Sequence, residues 1–156
     1  MAEPNPEELF NLGMLSYDKQ DFSKARKYFE KACELKDGRG CDELGRLYYD
    51  GRGVEKNSKK AAYFYYKACE LNNGGGCSGL GFLYGSGKGV EKNLIKAAYL
   101  YAKACDLKDG WGCKNLGALY YNGDGVKQDS KKAVALFEKA CKLGYKKACE
   151  MLKLLR

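Results

Sequence analysis

The chain has 156 residues, of which 45% are hydrophobic and 31% are charged, and its 28 Lys and Arg against 20 Asp and Glu give a net charge of +8. This is the composition of a folded domain, and the absence of histidine excludes His-dependent catalysis and most zinc-hydrolase sites. The apolar runs are too short to span a membrane, and the positive charge favours acidic partners only weakly because it is spread along the sequence.

Eight cysteines recur in pairs at a fixed period along the chain. They form pairs eight residues apart, and corresponding cysteines recur every 36 residues. The surroundings recur with them, since Lys31–Leu35 has counterparts at 67–71, 103–107 and 139–143. A fixed period of this length indicates stacked structural repeats.

Each repeat is predicted to consist of two helices. Apolar residues recur at helical spacing on both sides of a Gly-x-Gly loop, and Asn57, Asn93 and Asp129 suit the N-cap of the second helix. In chain order the predicted helices span 7–18, 22–35, 41–50, 58–71, 77–86, 94–107, 113–122, 130–143 and 146–155. The last is a half repeat that caps the stack.

The sequence predicts a single domain. Residues 1–6 are expected to be a disordered N-terminal segment, and residues 7–156 form the domain. Its repeats are expected at about 7–38, 39–74, 75–110 and 111–145, followed by the capping helix at 146–156.

Two interpretations of the cysteines compete. Metal sites usually have C-x2-C spacing, often with histidine, whereas this chain has C-x7-C spacing and no histidine. A helix end, a short turn and the next helix can bring two Cα atoms to the roughly 4.4 to 6.8 Å that a disulfide needs. The pattern therefore favours four local bridges: Cys33–Cys41, Cys69–Cys77, Cys105–Cys113 and Cys141–Cys149.

Four bridges indicate an oxidising compartment. We therefore expect a secreted or periplasmic protein. The opening residues Met1-Ala2-Glu3-Pro4 have neither the basic nor the apolar region of a signal peptide, so the signal peptide is expected to be absent from this sequence.

The repeat pattern resembles two related families. In the first repeat, Leu12-Gly13, Ala25, Phe29 and Ala32 have tetratricopeptide spacing, and later repeats match with four more loop residues, as in Leu44-Gly45, Tyr48, Ala61, Tyr65 and Ala68. The chain resembles the Sel1-like repeat family, and its C-x7-C pairs are similar to those of the Helicobacter cysteine-rich secreted proteins. The resemblance implies an all-α, right-handed α-α superhelix of disulfide-linked repeats, secretion, β-lactam binding and, in some members, weak β-lactamase activity.

A solenoid of this kind is expected to bind its ligand where the repeats differ, on the first helix of each pair, which lines the concave groove. By analogy with tetratricopeptide geometry, the candidate groove residues are Met14, Tyr17, Asp18, Arg39, Asp42, Arg46, Tyr49, Asp50, Ser78, Phe82, Trp111, Lys114, Tyr121 and Asn122. Exposed aromatics beside arginines are typical of binding hot spots. The alternative is that Trp111 and Phe82 only pack against their neighbours. Lys114 and Asn115 match the tetratricopeptide carboxylate clamp only in part.

No cofactor or metal is expected, and no catalytic residue is assigned. Ser16–Lys19 matches S-x-x-K, but the S-D-N and K-T-G motifs of serine β-lactamases are absent. Asp42 and Asp50 have no catalytic partner at a useful spacing. Lactamase activity therefore rests on resemblance alone.

The favoured function is a secreted, monomeric, disulfide-stabilised scaffold. It would bind a peptide, a protein or a cell-wall-like ligand, such as a peptidoglycan fragment or a β-lactam, in its groove. The alternatives are a penicillin-binding protein with weak β-lactamase activity and a designed or consensus repeat protein without a ligand. Nucleic acid is not an expected partner, because acidic residues are interleaved with the basic ones.

Overall fold

The computed structural model describes residues 4–155, and this part of the chain is all-helical. The helices are α1 (Pro6–Asp18), α2 (Phe22–Glu34), α3 (Gly38–Asp50), α4 (Ser58–Glu70), α5 (Gly74–Ser86), α6 (Leu94–Asp106), α7 (Gly110–Asn122), α8 (Ser130–Lys142) and α9 (Lys146–Leu155). None of these helices has the length and apolar character needed to cross a bilayer.

The second helix of each later repeat begins at the predicted cap. The side chains of Asn57, Asn93 and Asp129 accept hydrogen bonds from the backbone N–H groups three residues on. These bonds satisfy donors that a helix start otherwise leaves unpaired, so the prediction of these starts is confirmed.

The first helices of the later repeats begin earlier than predicted. They start at Gly38, Gly74 and Gly110, three residues before the cysteines at which the sequence predicts them to begin. The physical reason is a second set of caps: the side chains of Asp37, Asn73 and Asp109 accept backbone hydrogen bonds there. The glycines favour a turn, but the cap extends the helix through them.

The N-terminus differs from its prediction in the same way. Asn5 caps α1 by accepting from the backbone N–H of Glu8, and Pro6 opens the helix. Two residues of the predicted disordered segment 1–6 therefore belong to the helix start. Residues 1–3 lie outside the described part of the chain.

Each Gly-x-Gly loop connects the two helices of a repeat and lies against the preceding repeat. In the first of these loops, Gly51 ends α3 with φ 71° and Gly53 has φ 70°. A Cβ on Gly53 would stand 2.5 Å from the carbonyl of Phe22, at the start of the preceding repeat's second helix. The loop therefore needs glycine both for its left-handed backbone and for its approach to the previous repeat.

The helices form two layers. Each helix packs against its neighbours in sequence, and α3, α5 and α7 also contact one another directly. This second contact places α3, α5 and α7 in the inner layer, on the concave side. Helices α1 and α9 hold the equivalent position in the repeat pattern, and the five are called the inner helices below. The outer helices are α2, α4, α6 and α8.

An aromatic ring fills the space between the two helices of each repeat. Phe29, Tyr65, Tyr101 and Phe137 are all at most 7% exposed. Each ring lies against a glycine of the inner helix, namely Gly13, Gly45, Gly81 and Gly117, where a Cβ would collide with the ring. The pairing of a ring with a glycine lets the two helices of each repeat approach closely.

All four predicted disulfides are present. The Cα atoms of each pair are 4.5–4.8 Å apart, and every bridge links an outer helix to the inner helix of the next repeat. The eight cysteines leave no free thiol. The disulfide interpretation is confirmed, and the metal interpretation of the cysteines is wrong.

Candidate functional site

A hollow of about 470 Å³ opens on the concave face between the second, third and fourth repeats. Its lining is Arg46, Tyr49, Tyr65, Gly75, Gly79, Phe82, Asp109 and Trp111. Four of these were predicted as groove residues: Arg46, Tyr49, Phe82 and Trp111. We call this hollow the central groove.

Three aromatic side chains form a continuous row along the central groove. The ring centroids of Tyr49 and Phe82 are 5.8 Å apart in an edge-on arrangement, and those of Phe82 and Trp111 are 5.9 Å apart. All three side chains are half-buried, so each keeps a surface for a ligand. Because each ring comes from a different repeat, only the stacked solenoid assembles the row.

Cations stand at the margins of this row. The Lys88 Nζ lies 5.5 Å from the Phe82 centroid and 5.6 Å from the Tyr49 centroid, and it donates a hydrogen bond to the Tyr49 hydroxyl. The guanidinium of Arg46 belongs to the groove lining, and the side chain is half exposed. The groove thus combines apolar rings with the cations Arg46 and Lys88, and Asp109 also belongs to its lining.

Two glycines that the candidate residues omit make room for the groove. Gly75 stands where the repeat pattern places Arg39 and Trp111, and Gly79 stands where it places Glu43 and Asn115. A side chain on Gly79 would collide with the ring of Tyr65, which forms the floor. The sequence signal for this groove was the presence of two glycines in one repeat, at positions where the neighbouring repeats have large side chains.

Asp42 is buried beside the groove, whereas the sequence predicts an exposed residue. It is 8% exposed, its carboxylate touches Gly75, and its Oδ2 lies 3.8 Å from the Arg46 Nη2. Burial raises the pKa of Asp42 to about 6; Arg46 opposes this rise, while Glu43 and Asp109 add to it. The missing side chain at Gly75 explains the burial, because the carboxylate occupies that space.

Asp42→Asn is expected to change the pH dependence of stability. The pKa of this carboxyl is higher in the folded protein than its ordinary 3.8. The folded protein therefore favours the protonated form of Asp42. The stability that this form provides is complete below about pH 4 and is lost as the pH rises through about 6. Well above about pH 6, the substitution should raise the free energy of unfolding by about 3 kcal/mol, and below about pH 4 it should add nothing. Urea unfolding across this pH range measures the difference.

Asp50→Asn is the matched control, because Asp50 is an exposed carboxylate on the same helix. As a substitution at an exposed position, it should change the free energy of unfolding by less than about 0.5 kcal/mol. A gain from Asp42→Asn that is equal at every pH would contradict the assignment to the buried carboxyl.

Ser78 is a second candidate whose predicted exposure is wrong. The sequence predicts an exposed groove residue, but Ser78 is fully buried and its hydroxyl donates to the Asp109 carboxylate. Asp109 also caps α7, where it accepts from the backbone N–H of Gly112. Ser78 therefore links the third repeat to the fourth and is not available to a ligand.

The candidates on α1, and Arg39 and Asp50 on α3, do not line the central groove. Arg39 pairs with Asp37 at 2.9 Å and stacks over the ring of Phe10 at 4.4 Å. The Tyr17 hydroxyl accepts a hydrogen bond from Arg52. Met14 packs against the buried residues around Phe29. Asp18 and Asp50 are exposed, at the C-terminal ends of α1 and α3.

The C-terminal candidates are divided between two places. Lys114 is half-buried, donates to Asn115 at 3.1 Å, and has its pKa lowered by burial and then by Lys147. Tyr121 and Asn122 line a separate apolar hollow of about 250 Å³ with Met151, Leu154 and Leu155. They do not line the central groove.

The residues considered for catalysis are not assembled into a reactive site. Ser16 is 7% exposed, and its hydroxyl donates to the carbonyl of Leu12. Within residues 4–155, no cluster of three or more His, Cys, Asp or Glu side chains is arranged to hold a metal ion.

The family is shown by the repeats themselves. The model of the Sel1 repeat matches residues 39–73, 76–109 and 112–145, and the model of the tetratricopeptide repeat matches residues 6–39. The chain belongs to the Sel1 repeat family. Its first repeat is of the shorter tetratricopeptide kind, as the missing loop residues predict.

The chain is similar to cysteine-rich proteins of Helicobacter pylori. It is 63% identical over 60 residues to a protein named "Putative beta-lactamase HcpC", and 57% identical over 60 residues to one named "Beta-lactamase HcpA". Each match covers 38% of this chain, and 21% and 24% of the two relatives. The chain thus spans about a fifth to a quarter of their length.

Solved structures support the same family and fold. Helicobacter pylori cysteine rich protein B is 46% identical, with a TM-score of 0.69, over 85% of this Sel1 repeat chain and 95% of its own. The c5321 antigen of uropathogenic Escherichia coli is 32% identical with a TM-score of 0.84, over 94% of this chain and 32% of its own. The predicted Sel1-like solenoid is confirmed.

Proposed function

We propose that this Sel1 repeat protein is an extracytoplasmic recognition module that binds an extended peptide segment in the central groove. The observation that supports it best is the meeting of Arg46, Tyr49, Phe82 and Trp111, from three repeats, around one open hollow. Its volume of about 470 Å³ lies within the range of ligand sites, and aromatic and Arg side chains are those that dominate binding energies.

The disulfides support both the compartment and the mode of binding. Four bridges persist in the periplasm or outside the cell, and thiols are kept reduced in the cytosol. The bridges also fix each repeat to the next, so the groove is formed before a ligand arrives and little ordering entropy is lost on binding. The protein acts as a monomer in this proposal.

The chemistry of the groove selects the peptide. A large apolar side chain fits against the row of Tyr49, Phe82 and Trp111. A neighbouring carboxylate fits the cations Arg46 and Lys88. A matching segment therefore has an aromatic or aliphatic residue next to Asp or Glu.

The sole tryptophan of the sequence lies in the groove, so its fluorescence reports binding at this site. A peptide library with an aromatic residue beside Asp or Glu is titrated against the protein, with Trp111 emission as the readout. Arg46→Ala and Phe82→Ala should each weaken binding of the selected peptides at least about 30-fold, because groove anchors contribute on the order of 2 kcal/mol.

Tyr63→Ala is the control, because Tyr63 is an exposed aromatic side chain on the outer helix α4. It should bind peptides like the wild type. A selected peptide whose affinity survives both groove substitutions, or whose binding leaves the Trp111 emission unchanged, would contradict the proposal.

The names of the relatives make a β-lactam the second ligand to test. Since Ser16 is buried and bonded to Leu12, the S-x-x-K match gives hydrolysis no support. The same fluorescence titration with a penicillin tests binding, and a chromogenic lactam tests turnover. Turnover that one point substitution abolishes would favour an enzyme over a binding module.

A further inference from the structure

The outer helices hold the whole charge excess of the chain. Helices α2, α4, α6 and α8 contain thirteen Lys and Arg against five Asp and Glu. The difference of eight equals that of the full sequence, in which 28 basic residues oppose 20 acidic ones. The rest of the chain is therefore balanced, and the convex face alone is strongly positive.

The lysines of this face repeat with the solenoid. Lys31, Lys67, Lys103 and Lys139 recur at the 36-residue period in the last turns of the outer helices. A further row stands near the helix starts and consists of Lys24, Lys60, Lys96 and Lys132. The stacking of the repeats thus produces a row of positive charge across the convex face. The second row lies at the edge of that face, because the Nζ atoms of Lys60, Lys96 and Lys132 are 5.2–5.4 Å from the ring centroids of inner-helix tyrosines.

Four large apolar side chains project from the middle of the same face. Ile95 and Tyr99 of α6 are each 72% exposed, and Tyr63 and Tyr66 of α4 are 56% and 53% exposed. Helical spacing places each pair on one side of its helix. We call these four residues the outer patch. The two helices that bear it are the central outer helices, so the patch lies at the crest of the convex face.

The charged residues flank the patch on both sides. A hollow of about 500 Å³ on α2 is lined by Lys24, Lys27, Tyr28 and Lys31, together with Asp21 and Ser23. On the far side, α8 presents Lys131, Lys132, Lys139 and Lys142. The outer patch thus lies on two helices that carry lysines of their own, between the lysine-rich helices α2 and α8.

We propose that this convex face attaches the protein to an anionic lipid surface. Tyrosine side chains favour the boundary between headgroups and acyl chains, an exposed isoleucine favours the acyl side of it, and lysines favour anionic headgroups. A protein partner would need a cavity that accommodates the outer patch and an acidic surface around that cavity. A lipid surface deforms around the patch, and its anionic headgroups contact the lysines. The concave groove then faces away from the membrane and stays open to its ligand.

The test is co-sedimentation of the full chain, with its disulfides intact, with two kinds of vesicle. One contains phosphatidylcholine and phosphatidylglycerol in equal parts, and the other contains phosphatidylcholine alone. The protein should sediment with the anionic vesicles and stay in solution with the neutral ones.

Two variants separate the contributions of charge and apolar contact. The triple variant Lys24→Gln, Lys27→Gln, Lys31→Gln should lose about a hundredfold in vesicle affinity, since each lysine near an anionic surface contributes about fivefold. The double variant Ile95→Ser, Tyr99→Ser should lose at least about tenfold, because apolar area no longer leaves water.

Matched controls remove the same groups elsewhere. Lys19→Gln, Lys146→Gln, Lys153→Gln removes three exposed lysines from the inner helices and their ends, and Leu15→Ser, Leu154→Ser removes two exposed apolar side chains. Both controls should bind vesicles within about threefold of the wild type, because exposed charges beyond a Debye length act weakly.

Four results would overturn the proposal. The first is no sedimentation with anionic vesicles, and the second is an equal loss in variants and controls. The third is binding of soluble heparin without binding of vesicles, which would assign the face to a dissolved polyanion. Should the outer-patch variant instead convert a dimer to a monomer, the patch would be a contact between copies of this chain, and the membrane proposal would also fail.

Discussion

Reduction of the four disulfides is expected to unfold this protein or bring it close to unfolding. Each bridge joins two cysteines that are eight residues apart. It stabilises the fold by about 2.5 kcal/mol, because it reduces the conformational entropy of the unfolded chain. Four of them contribute about 10 kcal/mol, which is comparable to the whole stability of an ordinary domain. Circular dichroism during urea unfolding, with and without reductant, measures the loss.

Single bridges give the quantitative version of this test. Cys69→Ala, Cys77→Ala and Cys141→Ala, Cys149→Ala remove loops of equal length, one in the middle of the stack and one at its end. Both should lower the free energy of unfolding by about 2.5 kcal/mol, because the chain-entropy effect depends on loop length. Unfolding midpoints that are unchanged by reductant would contradict a stabilising role for the bridges.

Phe29→Ala is expected to be the most damaging single side-chain truncation in the first repeat. The ring is fully buried, lies between α1 and α2, and fills the space that Gly13 leaves open. Truncation leaves a cavity that the helices can close only in part, so the free energy of unfolding should fall by about 3 to 5 kcal/mol. Equilibrium urea unfolding of the oxidised protein measures it.

Tyr99→Ala is the control, since this aromatic side chain is 72% exposed on an outer helix. It should change stability by less than about 0.5 kcal/mol. A Phe29→Ala variant that is as stable as this control would mean that the paired ring and glycine do not hold the first repeat together.

The fold was predictable because the same sequence pattern occurs in several repeats. The 36-residue period, the cap residues at Asn57, Asn93 and Asp129, and the cysteine spacing are local signals, and neighbouring copies confirm one another. The starts of the inner helices were missed for a local reason: Gly38, Gly74 and Gly110 favour turns in isolation, and the capping side chains of the residues before them outweigh that preference.

The groove was predictable only in part because it depends on contacts between repeats. Arg46, Phe82 and Trp111 differ from their counterparts in other repeats, and that difference identified them. The burial of Ser78 depends on Asp109 in the next repeat, and that of Asp42 depends on the missing side chain of Gly75. A pattern read along one helix does not contain such neighbours, so both residues were wrongly expected to be exposed.

The most direct test of the account is a disulfide map of the protein, alkylated before any reduction and then digested. Trypsin cleaves the chain between the two cysteines of three predicted pairs, because Lys or Arg lies there. The pair Cys69–Cys77 needs cleavage at Glu70 instead. We expect no alkylated cysteine and four linked pairs, each joining cysteines eight residues apart. Eight alkylated thiols, or bridges between distant repeats, would contradict the stapled solenoid and with it the preformed groove.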